Sequence, residues 1–295
     1  MIVRHFDINT PKVMAPGKEG WEQLSLGYYW MPKCRAANFR AALEELYMRI
    51  RESGNIAGGQ FQQDCMLSIL ADIKKDKVNI FELGAGWGRV CLDVAAAIDF
   101  NIIQCAPKKY NCLAVEAEPV HYEWLKRHFE AQNISGIAVF GAVSNENGSC
   151  QFDSFSSSPD SEYGQAMSPL IGRRGFPNVR GLLKFLRGRT VRVPTYTLDF
   201  LMQKYRFKHV DIVQMDVQGA ECDVILGAVD SINEGLIDYF LINIHLDEYG
   251  NMIHGLLSDK YTLVIDLKRG HLGSVEGFPP IHCHDGIQLY KRKGV

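Results

Sequence analysis

The chain has 295 residues, 46% hydrophobic and 22% charged, with a formal charge of −2. That is enough apolar material for a full core, and the near-neutral balance gives no electrostatic reason to expect a nucleic-acid partner. Eight cysteines, at positions 34, 65, 91, 105, 112, 150, 222 and 283, are scattered without a CxxC pair, mostly in apolar runs, so neither a zinc site nor a disulfide framework is expected.

The opening MIVRHFDINT has no signal-peptide core, and no apolar run approaches membrane-spanning length, so a cytoplasmic protein without a membrane span is expected. Residues 1–35 show no clear periodicity and read as an irregular arm. NFRAALEELYMRI then places Phe39, Leu43, Leu46, Tyr47 and Ile50 at helical spacing, and a second helix is expected from about Gln60 to Ile73. Residues 1–77 thus read as an arm and helical cap, ahead of a main domain over 78–295.

In that domain strand candidates at 78–83, 112–116, 137–143, 210–216, 238–244 and 261–267 alternate with helices at 87–99, 119–133, 197–206, 219–228 and 250–259. Such alternation predicts a mostly parallel sheet covered on both faces. GIQLYKR (286–292) reads as a last, antiparallel strand. Residues 154–192, rich in Ser, Gly, Pro and Arg, interrupt the rhythm and are expected to form a functional loop such as a lid.

The first strand runs into FELGAGWGRV, where Gly84, Gly86 and Gly88 give G-x-G-x-G rather than the G-x-G-x-x-G of dinucleotide binding. Glu82, two residues earlier, would repel phosphate and favour an ammonium. S-adenosylmethionine offers an ammonium, a sulfonium and a carboxylate without phosphate, and N–H groups at the following helix start can take its carboxylate. A nicotinamide-binding turn with a solvated Glu82 is the alternative. Glu116 ends the second strand, where an acid can accept both ribose hydroxyls. Glu118, beside Pro119, suits the start of a helix. Ala142, Val143 and Ser144 end the third strand, where they can cover an adenine or simply lead into the Asn147-Gly148 turn.

At VDIVQMDVQGAECDVILGA the sequence resembles the FkbM family of S-adenosylmethionine-dependent methyltransferases. The match is Asp216-Val-Gln-Gly-Ala-Glu221 with Gly227-Ala228 closing the helix, together with the glycine turn, VEAEP, GAVSNENGS and VPTYTLDFL. The resemblance covers about 78–291 and implies a Rossmann-like fold of seven strands (class I methyltransferase) acting on hydroxyl oxygens of sugars or other natural products. It implies donor binding by Glu82, Gly84, Gly86 and Glu116, and it puts Asp216 at the donor–acceptor boundary. Ile242-Asn-Ile-His245 stands where many members carry an I-G-T-H-like element, here without the Gly-Thr pair.

A sugar hydroxyl is a poor nucleophile until its proton leaves. His245 is therefore expected to be the base, with Asp216 orienting it or holding substrate, although a structural histidine fits the same position. Glu221 either binds the acceptor or complements the helix start. Asp216 and His245 are too few ligands for a divalent metal, so no metal is assigned. The His282-Cys-His284-Asp285 cluster has no matching ligands elsewhere. In the insert, Arg173 and Arg174 lead a basic group with Arg180, Lys184, Arg187 and Arg189, suited to a phosphorylated or acidic acceptor or simply solvated. Besides a methyltransferase, a nicotinamide-dependent oxidoreductase and a non-catalytic partner subunit stay open.

Overall fold

The computed structural model describes residues 2–6, 22–23, 29–30, 37–105, 107–153, 186 and 190–295. In chain order the helices are α1 (Ala37–Glu52), α2 (Gly58–Asp72), α3 (Arg89–Asp99), α4 (Pro119–Gln132), α5 (Leu198–Lys204), α6 (Glu221–Leu226), α7 (Val229–Asn233) and α8 (Asp247–Leu257). The strands are β1 (Glu22–Gln23), β2 (Tyr29–Trp30), β3 (Ile56–Ala57), β4 (Lys77–Leu83), β5 (Lys109–Glu116), β6 (Gly136–Phe140), β7 (Ala142–Val143) and β8 (Gly148–Asp153). They continue with β9 (Thr190–Tyr196), β10 (Val210–Met215), β11 (Ile237–Ile244), β12 (Tyr261–Leu267), β13 (Leu272–Gly273), β14 (Ile281–His282) and β15 (Gly286–Arg292).

Seven strands form one sheet in the order β12-β15-β11-β10-β4-β5-β6. The pairings from β11 across to β6 are parallel, and β15 runs antiparallel between β11 and β12. This is the Rossmann-like, mostly parallel sheet that the resemblance implies. Because side chains alternate along a strand, adjacent residues serve opposite faces. Ile80, Cys112 and Leu241 bury with Leu67, Leu70 and Val94 beneath α2 and α3. Their neighbours Phe81, Leu113 and Phe240 bury with Leu201 and Ile253 beneath α5 and α8. β10 and β11 are buried along their whole length, as central parallel strands must be when helices cover both faces.

The expected helix at 60–73 is α2, and it packs directly on the sheet: Leu67 and Leu70 share one core with Leu241 and Leu289. Residues 2–6 lie along it, with Arg4 N–H donating to Ser68 Oγ at 2.9 Å and Phe6 N–H to Asp64 Oδ1 at 3.1 Å.

The expected strand 137–143 is divided at Gly141. There φ is +149°, and a Cβ would lie 2.6 Å from Tyr196 Cε2 and 2.8 Å from Pro194 O. The close neighbour is β9, which with β7 and β8 makes a separate three-stranded sheet. Phe152 and Val193 give that sheet a small core of its own with Ala117 and Ala142. Residues 190–192, read as part of the insert, are thus the start of β9. Residues 154–185 and 187–189, Arg173 and Arg174 among them, lie outside the described residues.

The chain runs outward from β4 through β5 to β6 and later returns to build β10 and β11 on the other side of β4. Where the strand order reverses, connections leave in opposite directions and a crevice opens at the carboxyl ends of β4 and β10.

Candidate active site

The crevice is built by the glycine turn. After β4, the N–H groups of Gly84 and Ala85 both donate to Val115 O, at 3.0 and 2.9 Å, folding the turn over β5. Gly84 has φ +74°, and a Cβ there would stand 2.0 Å from Asp216 O. The ends of β4 and β10 pass too closely for any side chain. Gly88 serves a different contact: its Cβ would meet Leu125 Cδ1 at 2.6 Å, so it lets α3 pack on α4 and does not line the crevice.

The crevice has about 700 Å³ of empty space. Gly84, Gly86, Glu116, Ala142, Val143 and Asp216 line it, joined by Ala117, His121, Gly141, Phe152, Val217, Gln218 and Ala220. Three residues expected at the donor, Glu82, Gly88 and Ser144, do not. Ser144 is buried, its N–H donates to Tyr196 O at 2.9 Å, and its carbonyl presses on Gly227, whose Cβ would be 2.2 Å away. It fixes the end of α6.

Glu82 is the main correction. Its Oε1 accepts from Val90 N–H at 3.0 Å and its Oε2 from Cys91 N–H at 2.9 Å, so both oxygens are committed to the first turn of α3. Burial pushes this carboxyl up to about 7, against the pull of those donors. A carboxylate so enclosed holds the helix start and does not face a ligand.

The acids that do face the crevice are Glu116 and Asp216. Glu116 Oε2 accepts from Gly86 N–H at 2.6 Å and Oε1 from Glu118 N–H at 2.7 Å. Burial raises its carboxyl to about 7 despite these donors. Each carboxylate oxygen still has a second acceptor position. Glu118 caps α4, with Oε2 accepting from Val120 and His121 N–H at 2.6 and 2.9 Å. His121 lines the wall, and burial lowers its imidazole to about 4, leaving it neutral near pH 7.

Asp216 follows β10 with its side chain 37% exposed. Oδ2 accepts from Asn243 Nδ2 at 3.0 Å and Oδ1 from Gln218 Nε2 at 3.1 Å. His245 Nε2 also lies 3.1 Å from Oδ1 but off the N–H direction, so that contact is ionic rather than an aligned hydrogen bond. The other ring nitrogen, Nδ1, donates to Glu221 Oε1 at 2.6 Å. Burial alone would lower this imidazole, but the two carboxylates outweigh it and carry His245 up to about 10. It therefore holds its proton near neutral pH and cannot serve there as the base the sequence suggested. Glu221 is wholly buried and bound to Gly219 N–H at 2.9 Å as well as to His245, so it is closed to an acceptor.

Asn243, Gln218 and Phe152 are residues to which sequence reasoning gave no role, and Asp285 entered it only within the His282-Cys-His284-Asp285 cluster. Asp285 Oδ2 lies 3.9 Å from His245 Nε2. Only Gln218 carried a local signal, since it sits beside Gly219 in the hexapeptide and adopts φ +51°, a strain common at functional sites.

Among the described residues one group has metal-ligand spacing, His209, Asp211 and Asp238. It lies at the amino ends of β10 and β11, far from the crevice. Lys75 Nζ stands 2.6 Å from Asp211 and 3.2 Å from Asp238, and Arg292 Nη2 2.8 Å from Asp238. These carboxylates already have cations, and the cluster is an ion-pair network.

The Methyltransferase FkbM domain matches residues 84–254, more than half of the chain and the whole span from the glycine turn to α8. The chain belongs to the FkbM methyltransferase family. No curated protein matches it in sequence. Among solved structures the FkbM-family chain is similar to the METTL16 MTase domain, at 9% identity over 92% of this chain and 86% of that one, with a TM-score of 0.43. It is similar to a precorrin-6y C5,15-methyltransferase from Geobacter metallireducens, at 10% identity over 78% and 87%, with a TM-score of 0.39. An rRNA methylase from Streptococcus thermophilus is similar at 11% identity over 76% and 92%, also with a TM-score of 0.39. Among the described residues no helix is long and apolar enough to cross a membrane.

Proposed function

We propose that the crevice binds S-adenosylmethionine and that the protein transfers its methyl group to a hydroxyl oxygen of a sugar or sugar-bearing natural product. The observation that carries this reading is the charge of the wall. Glu116 and Asp216 line it, His121 is neutral, and neither Lys nor Arg stands among the lining residues. A cationic donor fits such a wall, whereas the pyrophosphate of a dinucleotide would find no counter-charge.

When bound, the donor supplies an electrophilic methyl on a positive sulfur that departs as a neutral thioether. The chain's own part is orientation and proton removal. Glu116 accepts the ribose hydroxyls on its free lone pairs. Ala142, Val143 and Phe152 cover the adenine. Asp216 takes the proton of the acceptor hydroxyl as the new oxygen–carbon bond forms. His245, charged and held by Glu221, keeps the Asp216 carboxylate in place. The basic composition around Arg173 and Arg174 supports an anionic acceptor.

The test is a thermal-shift comparison of S-adenosylhomocysteine with NAD. The thioether at about 100 times its Kd should stabilise the protein by about 2.7 kcal/mol. Stabilisation by NAD alone would overturn the donor assignment. Asp216→Asn should retain the thioether's affinity and lose ~100-fold or more in turnover of a sugar acceptor; near-normal turnover would remove Asp216 as the base.

A further inference from the structure

Helix α2 precedes the span that the FkbM domain matches, yet it reaches the site. Gln62 Nε2 donates to Asn243 Oδ1 at 2.6 Å, and Asn243 Nδ2 donates to Asp216 Oδ2 at 3.0 Å. The direction of this chain follows from its last member. An ionised carboxylate only accepts, so Asn243 must turn its NH2 group toward Asp216 and its oxygen toward α2. Gln62 must then supply an N–H. One orientation is left to each amide.

The torsion that turns an aspartate carboxylate is broad and two-fold, so fixed donors are needed to hold one plane. Gln218 Nε2 supplies one from the same turn as Asp216. Asn243 supplies the other from β11, a strand buried along its whole length.

Two attachments place α2 for this. Near its start Gln62 meets Asn243; at its end Asp72 Oδ2 accepts from Tyr239 Oη at 2.7 Å and from Lys291 Nζ at 2.9 Å. From Gln62 to Asp72 is about 15 Å along a helix, and from Tyr239 to Asn243 about 13 Å along one face of a strand. The spans match, with Leu67 and Leu70 sharing a core with Leu241 between them. The helix cannot slide along β11 without breaking one end or the other.

We infer that Gln62 and Asn243 are positioning residues for the Asp216 carboxylate, so that a helix ahead of the matched domain sets the amide that holds the reacting acid. The effect on turnover rests on the methyl-transfer reading, whereas the relay itself can be read without donor or acceptor.

Two variants of the full chain separate this from a purely structural role. Gln62→Glu replaces the N–H by an acceptor, so Asn243 turns over to donate to it and sets its own oxygen against Asp216 Oδ2. Gln62→Leu removes the donor but lets Asn243 keep its NH2 group on Asp216. The side-chain 15N–1H resonances of Asn243, assigned by their loss in Asn243→Asp, report the contact in the ligand-free protein. Asp216→Ala defines how far they move when the carboxylate is gone. Gln62→Glu should move them as far, and Gln62→Leu by less than half as much. With a sugar acceptor, kcat should fall roughly tenfold or more in Gln62→Glu and no more than about threefold in Gln62→Leu, with KM for S-adenosylmethionine within about twofold in both. A purely structural Gln62 would instead make kcat follow Tm in the two variants alike. Resonances indifferent to Gln62→Glu, or equal kcat losses in both variants, would overturn the relay. Resonances that move as expected in a chain that ignores S-adenosylhomocysteine would keep the relay and sink the methyl-transfer reading.

Discussion

Glu221 Oε1 stands 2.6 Å from His245 Nδ1, and this contact is where the last residue of the Asp216–Glu221 hexapeptide spends its charge. The carboxylate is wholly buried and the imidazole nearly so. Each needs the other: removing one partner of a buried pair leaves a charge without compensation.

Glu221→Gln is accordingly expected to cost about 3 kcal/mol near pH 7. The sign of the pH dependence follows from His245, whose folded-state value is raised from 6.5 to about 10. Its contribution is fully present below pH 6.5 and is lost as pH rises through about 10. Urea unfolding of both proteins should show the wild-type advantage shrinking over that window. A gap that stays constant across it would mean the ring is not held as an imidazolium.

Glu82 and Glu116 are both buried acids raised to about 7, yet they should behave differently on substitution. Glu116→Gln is expected to weaken S-adenosylhomocysteine by roughly tenfold or more, the worth of charged hydrogen bonds. Glu82→Gln should leave that affinity within about threefold, since its oxygens serve α3. Because the ionised form of Glu116 is the better acceptor, donor affinity in the wild type should rise as pH passes through about 7. Calorimetric titration of the three proteins reads all of this, and equal losses in both variants would count against the division of roles.

Two glycines in the left-handed region separate conformation from crowding. At Gly219, φ is +94° and a Cβ would meet nothing within 4 Å, so Gly219→Ala should cost roughly 1–2 kcal/mol from the backbone alone. At Gly84 the same change drives a carbon to within 2.0 Å of Asp216 O and should cost ~4 kcal/mol or more, or prevent folding. Chemical denaturation compares them directly. Similar losses at both sites would show that β4 and β10 can part without penalty.

The ion-pair network at the amino ends of β10 and β11 should matter for stability alone. Burial would raise the Asp238 carboxyl, but hydrogen bonds from His209 and Arg292 outweigh it and hold it down at about 2. That stabilisation is present above pH 3.8 and is lost as pH falls through about 2. Asp238→Asn should cost on the order of 2 kcal/mol at pH 7, with the deficit closing in acid. Zinc should not raise Tm, and S-adenosylhomocysteine should bind as before. A zinc-dependent rise in Tm, absent in the variant, would make the cluster a metal site after all.

Much of the sheet could be read from the chain because apolar runs such as VNIF, VDIVQM and IDYFLINI stand out from their surroundings, and each is followed by turn residues and a helical period. β8 and β9 escaped notice for a physical reason. GSCQFD and TVRVPTY hold few apolar residues, are only partly buried and are separated by a polar stretch, so no apolar run marked them, and Gly141 hid the break between β6 and β7. Within the site, positions at strand ends were legible: Gly84, Glu116 and Asp216 all border the crevice. What a linear reading could not supply was direction. Glu82 lies one residue before the end of its strand, where the pleat turns its side chain toward α3. His245 looked like a base because only Asp216 was expected beside it; the second carboxylate, Glu221, read as an acceptor ligand or a helix-start charge, and its contact with Nδ1 comes from the turn of the chain after β10.

The antiparallel β15 sits between β11 and β12, and β12 touches no other strand of the large sheet. During synthesis, Tyr261–Leu267 must therefore wait for Gly286–Arg292 before it has anything to pair with. The earlier strands can assemble as they leave the ribosome, but this edge is closed last, as a slide bolt is drawn once the door is shut.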